Sequence, residues 1–427
     1  PTQNIRQLGD EIAIVVAEDA ITAEKALKLI KVEYEEFEPL TTSEKVLAPG
    51  ARPIHGGKNN IVGEHQYECG GDLNESFEKS DVIVEGEYST AMVQHLHIEN
   101  HTAFAYMDDL QHIVIVSSTQ IPHIARRIVG QALDIPWGRV RVIKPYIGGG
   151  FGNKQDVVLE PVVAFLTTKL NGRPVKIAMT REECMLCTRN RHPMELKVKL
   201  GASNNGETKA RHVDVISLTG GYASHGHSIA AAAGSKSCLL YPRMTLGYHA
   251  RTLYANIPNG GAMRAYGSPQ IIFAIECAME DMARKLGIDS VEFRLKNAAR
   301  AGDVNPFSNL PISSCGLVEC LEKGRELIQW DAKKEAYANQ NTGNLRKGLG
   351  VACFSYGTGT YPVCVEIAGA RIILNQDASI HVQTGATEIG QGSDTAVAQM
   401  AAHTLGIPVE DVHIVSTQDT DVAPFNA

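Results

Sequence analysis

The stretch Ile147-Gly148-Gly149-Gly150-Phe151-Gly152-Asn153-Lys154-Gln155 places four glycines in five positions. Without Cβ atoms, such a turn lets backbone N–H groups close on a ligand. The familiar phosphate loops do not fit it. A P-loop runs glycine, lysine, then serine or threonine, whereas Asn153-Lys154-Gln155 stands here, and a dinucleotide fingerprint needs glycine at Asn153. A tight strand-to-helix connection with no ligand is the plainer reading, and a glycine cluster alone does not choose between the two. Reactive side chains also occur elsewhere. His95, His97, Glu99 and His101 share one face if their segment is extended, a geometry open to a metal, although polar strand residues with satisfied hydrogen bonds are the favoured reading. His225 and His227 lie in a glycine- and serine-containing loop, as ligands, proton donors or solvated side chains. Arg264 precedes a helix with Ser268 as N-cap and Pro269 at its first position, which suits an anionic group, although a surface ion pair is the usual fate of an arginine. Cys184 and Cys187 form a C-x-x-C in a charged helical context with no second pair at zinc spacing, so neither metal nor redox chemistry is assigned to them.

The elements that position these residues follow from pattern. Arg139–Lys144 alternates as a strand and delivers the glycine loop, and Val157–Leu170 is helix-like. Upstream, Ile113–Val116 is a strand ending in Ser117-Ser118-Thr119-Gln120. A helix follows, with Ile124, Ile128, Val129, Ala132 and Leu133 on one side, and Ile135-Pro136 stops it. The same order returns in Ile380–Thr384, the polar loop Glu388-Ile-Gly-Gln-Gly392, the helix Ala396–Leu405, Ile407-Pro408 and the strand Val412–Val415. A loop from Thr417 to Phe425 leads out. Two such units facing each other would bring two sets of loops onto one ligand; two common crossover units occurring by coincidence is the alternative. Ile12–Val16 and Val32–Phe37 read as strands around a helix bearing Ala23, Ala26, Leu27 and Ile30. Leu47–Asn60 is turn-rich, and Lys333–Lys347 reads as a linker.

A chain of 427 residues has room for two or three domains. Its net charge of −8 argues against a nucleic-acid partner. No apolar run reaches the roughly 18–20 residues of a membrane span, and no signal peptide opens the chain. Nine scattered cysteines and no iron–sulfur run fit a reduced, cytoplasmic setting. The first residue is Pro1, and Ile12–Val16 already reads as a buried-type strand, which points to a natural protein that begins earlier.

Together, Ser118-Thr119-Gln120, Gly148–Lys154, Ala262–Gln270 and Thr387–Gly392 resemble the molybdopterin-binding subunit of the xanthine dehydrogenase/aldehyde oxidase family, bacterial xanthine dehydrogenases in particular. The resemblance implies an α+β fold. Residues 1–58 would be the C-terminal part of an α/β hammerhead-type domain, 59–335 a first molybdopterin-binding domain, and 336–427 the start of a second. It implies oxidative hydroxylation of purines such as hypoxanthine and xanthine, with water as the oxygen source and a glutamate base. The cofactor would be molybdenum–molybdopterin, its cytosine dinucleotide form among the options, with Fe–S clusters and FAD on partner subunits, one a 2Fe-2S subunit. By the same resemblance Gln120, Gly150, Phe151, Gly152, Arg264, Gly390, Gln391 and Gly392 bind the cofactor, with Gln120, Phe151 and Arg264 nearest the metal. Gln155, Tyr266, Thr360 and Tyr361 flank a heteroaromatic substrate.

Departures from the family bear on the substrate. Gln155 stands where animal xanthine enzymes carry a purine-binding glutamate, Ala232 or a neighbour where they carry an arginine, and Tyr266 where they carry a stacking phenylalanine. His225 or His227 are candidates to compensate. The family's glutamate base and a further cofactor loop are expected beyond Ala427, in a remaining molybdopterin-domain segment, so the isolated chain is expected to be inactive. Without the base, catalysis would lose a factor of roughly 10²–10⁴. Aldehyde or nicotinate-type hydroxylation, and a non-catalytic scaffold, are the competing readings.

Overall fold

The computed structural model describes residues 4–340, 344–357, 359 and 367–424. The first repeated unit forms as its spacing predicts. Ile113–Ser117 and Val140–Lys144 are parallel neighbours, with Ile113 opposite Val140, and the helix Pro122–Leu133 makes the crossover. Asp134 in the left-handed region (φ 54) ends that helix, and the following proline cannot continue it. The helix buries Val129 and packs Leu133 on the core as the sequence suggests, but its inward face is turned toward smaller residues. Pro122, Ala125, Val129 and Gly130 are buried, whereas Ala132 is exposed. The small residues decide this. A Cβ on Gly130 would lie 2.6 Å from the Trp137 ring, so only glycine permits the close seat. In the second unit Ile380–Thr384 runs parallel to Val412–Ile414 across the helix Ser393–Leu405, and both units carry a 3-10 turn after the Ile-Pro pair. The repeat is therefore structural.

The first unit belongs to a five-stranded sheet in the spatial order Gln418–Asp419, Val140–Lys144, Ile113–Ser117, Thr102–Met107, Val175–Ala178. Ala103, Ile115, Val129, Val142 and Val163 form its core. Its outer strand comes from the second unit, in a segment expected to be loop. Gln418 and Asp419 pair with Lys144 and Ile143, and Thr420 accepts from Val142 N through Oγ1 at 2.9 Å. A second five-stranded sheet has the order Ile61–Cys69, Thr245–Tyr254, Thr208–Gly220, Met194–Ala202, Val82–Thr90. Met194, Leu196, Val198 and Leu200 alternate inward from it. They meet the apolar stripe Ile271, Ala274, Ile275, Ala278 and Met282 of the helix Ser268–Leu286.

Several local expectations are corrected. Ile12–Val16 and Val32–Phe37 form no strands, and Ile12, Ile14, Val16, Val32 and Phe37 are exposed. An apolar run becomes a strand only where an edge accepts it, and none of the described strands pairs with these runs. The helix Ala20–Leu27 does form, but buries no residue. Lys333–Gln340 belongs to the helix Trp330–Gln340 and not to a linker. Asp289 fixes the start of that helix, accepting from Trp330 Nε1 at 3.0 Å and pairing with Lys334. Among the described residues no helix is long and apolar enough to cross a membrane.

Candidate active site

The glycine loop is fastened on every side. Gln120 Oε1 accepts from Gly152 N at 3.0 Å, and Gln120 N donates to Lys154 O at 2.8 Å. With its oxygen used on the loop, the Gln120 amide presents its NH2 group elsewhere. Glu99 accepts from Gly148 N at 2.9 Å and from Lys154 Nζ at 2.6 Å. Lys154 is buried; burial pushes its ammonium down and the bond to Glu99 opposes this, so it is a fastening and not a phosphate ligand. Asn153 is buried too, donating to His97 Nε2 and Thr188 Oγ1, each at 3.0 Å, and accepting from Arg189 N. Two glycines are sterically required. A Cβ on Gly150 would lie 2.4 Å from Gln120 Oε1, and one on Gly152 (φ 103) 2.5 Å from Ala262 O. Between them Phe151 adopts φ 55 and leaves its ring half exposed.

The histidine segment is not a strand. Leu96 is left-handed (φ 52), and it and Ile98 are turned out, while His95, His97 and His101 are buried, with the His97 and His101 rings 5.2 Å apart. His95 Nε2 donates to Ala262 O at 2.7 Å, and His97 Nδ1 meets Glu99 O at 2.5 Å. Among the described residues no group of three or more His, Cys, Asp or Glu is placed to hold a metal. His95 and His97 use their ring nitrogens in hydrogen bonds, whereas His101 Nε2 is buried without a partner among these residues. Desolvation holds His95 at about 4, and His101 and His192 at about 3, against an ordinary 6.5. The unfolded chain therefore takes up protons first. Stability is complete above pH 6.5 and is lost as pH falls through the window down to 3–4, by about 1.4 kcal/mol per pH unit for each histidine. Urea midpoints measured from pH 7 to 4 are expected to fall, and a His192→Asn variant should fall less steeply. Equal slopes would remove His192 from this account.

Opposite the glycine loop runs the segment Gly261–Gln270. Arg264 N donates to Phe151 O at 3.0 Å, and Arg191 donates to Arg264 O at 2.9 Å. Ala265 (φ 72), Tyr266 (φ 42) and Gly267 (φ 91) are left-handed in succession, strain of about 1–3 kcal/mol for each non-glycine, which surrounding contacts must hold. Gly267, not Ser268, is the helix N-cap; the Ser268 hydroxyl is buried without a partner in the first turn. Arg264 is exposed, and no carboxylate of the described residues pairs with it. Between these walls lies an open cleft of about 410 Å³ lined by His95, Phe151, Arg191, Met263, Arg264, Ala265, Pro269 and Phe354. Its size lies within the roughly 300–1,000 Å³ usual for small-molecule sites. Two arginines and no carboxylate, beside a helix N-terminus, suit an anionic ligand.

Tyr266 is held from behind. Its hydroxyl meets His225 Nδ1 at 2.9 Å and Ser228 Oγ at 2.8 Å, while His225 Nε2 donates to Asp156 at 3.1 Å. Burial raises the Asp156 carboxyl, but His225, Arg189 and Ser224 outweigh it and hold it well below its usual range. Lys236, at the end of the helix Gly226–Lys236, donates to Tyr266 O at 3.1 Å, and burial lowers its ammonium to about 8. His227 belongs to the same helix and meets Thr252 instead. Gln155 is exposed at the end of the glycine loop. Thr360 and Tyr361 lie outside the described residues.

The second unit brings its loop to the first. Lys144, wholly buried in the strand before the glycine loop, donates Nζ to Glu388 O at 2.9 Å. Glu388 accepts from Gly390 N, Gly392 N, Ser393 Oγ and Asp394 N, so it caps the helix Ser393–Leu405 itself. Partial burial raises its carboxyl, and those N–H and O–H donors override this and bring it to about 2. Gln391 accepts from Ile389 N at 2.7 Å and donates to Thr387 O at 2.9 Å, holding its own loop open with Gly390 and Gly392 exposed. Lys144, Asp156, Arg191 and Lys236 escape sequence reading, because an isolated cation or acid in a regular element carries no pattern.

Family comparison matches residues 54–298 and 323–427 to molybdopterin cofactor-binding domains. The chain belongs to the xanthine dehydrogenase/aldehyde oxidase family of molybdopterin-binding subunits. It is 54% identical, over 425 residues, to the putative xanthine dehydrogenase molybdenum-binding subunit of Escherichia coli (strain K12), covering 100% of this chain and 56% of that one. It is 35% identical over 323 residues to the nicotinate dehydrogenase large molybdopterin subunit of Eubacterium barkeri, covering 75% of each. Aldehyde oxidoreductase from Desulfovibrio desulfuricans superposes with a TM-score of 0.91 at 27% identity, over 99% of this chain and 46% of that one. The enzyme from Desulfovibrio gigas superposes with a TM-score of 0.88 at 28% identity, over 96% and 44%. The α+β fold is thus that of the molybdopterin-binding subunits, and the chain spans about half the length of most of these relatives.

Proposed function

We propose that this chain is the molybdenum-binding part of a xanthine dehydrogenase-like hydroxylase acting on purines. The observation that carries this reading is the closure of the glycine loop at Phe151 onto the Arg264 segment around one cationic cleft, with the second unit's loop tied through Lys144 to the strand that leads into the glycine loop. A molybdenum–pterin group, when bound, supplies the two-electron redox step and a Lewis acid. The chain's own residues do the positioning. Gln120 offers an amide NH2 whose orientation the loop fixes, the backbone from Gly150 to Gly152 allows close approach, and Arg264 pairs with negative charge on the cofactor. Gly390, Gln391 and Gly392 complete the cradle from the second unit. Tyr266 gives the substrate ring a flat face, and Gln155, Thr360 and Tyr361 are assigned to its rim. No carboxylate of the described residues lines the cavity, so none is assigned as general base.

Fe–S and FAD partner subunits take the electrons, the compartment is the cytoplasm, and the chain is divided at residues 58 and 335. The described cysteines, all free thiols, support the compartment. The complex purified with its partners should contain about one molybdenum per chain and oxidise xanthine or hypoxanthine. Nucleotide released on heating reads out whether the pterin carries cytosine. Reproducible absence of molybdenum would favour a scaffold, and turnover of aldehydes or nicotinate without purines would favour the sister activities.

A further inference from the structure

Lys236 is a cation with an unfinished set of partners. Its ammonium has three donors, and Tyr266 O takes one. It lies 5.1 Å from the Tyr266 ring centroid and 4.6 Å from that of Tyr356. Two aromatic faces attract a cation but do not replace its hydration. No carboxylate of the described residues completes the shell. Asp156, the acid beside Tyr266, is committed to Arg189 at 2.6 Å and to His225 at 3.1 Å. The rings that hold Lys236 belong to segments forming the cavity wall, since Tyr266 follows Ala265 and Tyr356 is next but one to Phe354. The turn that carries Tyr266 is left-handed at consecutive residues, and His225 and Ser228 pin its hydroxyl, so ring and ammonium keep a fixed relation.

Resting on the reading of this cavity as a molybdenum hydroxylase site, we propose that Lys236 is a specificity-determining residue. Its ammonium pairs with the anionic edge, a carboxylate or an ionised ring oxygen, of a heteroaromatic substrate lying beside Tyr266. The residue selects ring charge and takes no part in bond making.

The test uses the complete complex with its partner subunits and no electron acceptor. Binding of nicotinate and of nicotinamide, matched rings that differ in charge, is measured by calorimetry for the wild type, Lys236→Met and Lys236→Arg. A charge-assisted hydrogen bond corresponds to roughly 10- to 100-fold in affinity. The wild type should prefer nicotinate by about tenfold or more. Lys236→Met should lose that preference with nicotinamide changed by less than about twofold, and Lys236→Arg should recover much of it. Lys236→Gln gives the same readout should the methionine variant fail to fold. Equal weakening of both rings, no change, or a wild type that binds neither or shows no preference would overturn the assignment. Molybdenum content of the same samples is read separately; its absence defeats the hydroxylase reading whatever the two rings do.

Discussion

Exchanging Gly152 for alanine is expected to strip molybdenum from the purified complex while the chain still unfolds cooperatively. The residue has φ 103, and its added Cβ would lie 2.5 Å from Ala262 O, 2.8 Å from Ala262 C and 3.2 Å from Met263 Cα. All three are main-chain atoms, which cannot swing away as a side-chain end can. The left-handed backbone adds about 1–2 kcal/mol. The loop is expected to retreat, giving up the bonds Gly152 N to Gln120 Oε1 and Arg264 N to Phe151 O, at about 0.5–1.5 kcal/mol each. The total is smaller than the usual 5–15 kcal/mol of folding stability, so the damage falls on the site and not on the fold. Gly56 is the control, since a Cβ there meets nothing within 4 Å. Elemental analysis should show molybdenum reduced at least about tenfold in Gly152→Ala and unchanged in Gly56→Ala, on the reasoning that about 1.4 kcal/mol is tenfold in affinity. A fully loaded Gly152→Ala complex would sink the claim that this loop touches the cofactor.

The largest loss of stability is expected from Arg294→Met. Arg294 is almost wholly buried and donates Nε to Glu276 Oε2 at 2.8 Å and Nη2 to Glu276 O at 3.1 Å. Burial alone would lower its guanidinium; Glu276 outweighs that and holds it raised. Glu276 also accepts from Tyr241 Oη at 2.6 Å and from Cys353 N at 3.0 Å. Removing the arginine leaves a buried carboxylate without its counter-charge, a change that costs about 3–5 kcal/mol. The melting temperature should fall by roughly 6–20 °C, taking about 2–4 °C per kcal/mol for a chain of this size. The double change Glu276→Leu with Arg294→Met should recover a large part of the loss, because apolar pairs of similar volume often replace buried ion pairs without penalty. A single variant that melts within about 2 °C of wild type would show that the pair is dispensable.

Legibility in the sequence followed the range of the interactions. The repeated units were readable because a period of two, a period near 3.6 and an Ile-Pro stop are local signals. The glycine loop was readable for the same reason, and its bond to Gln120 joins residues 32 apart that the repeat already paired as loop tips. Edge pairing was not readable. Ile12–Val16 looks like a strand and finds no edge, while Gln418–Asp419 looks like loop and is accepted by one. The histidine segment keeps its histidines inward without being a strand, because left-handed Leu96 interrupts the extended backbone while Leu96 and Ile98 still turn outward. Lys144 and Lys236 had no signal, since their meaning lies in what they approach across the fold. Gln391, assigned to the cofactor by family likeness, is at present a brace for its own loop.

Because Asp419 closes the first unit's sheet and binds Arg141 from 278 positions downstream, the ribosome finishes that sheet late. Until then Val140–Lys144 is a bare rim, open to wrong neighbours. At about 5–20 residues per second the wait is on the order of half a minute. On the proposed cofactor role, loading before that moment would meet a half-built cradle, so synthesis itself would set the earliest time of assembly.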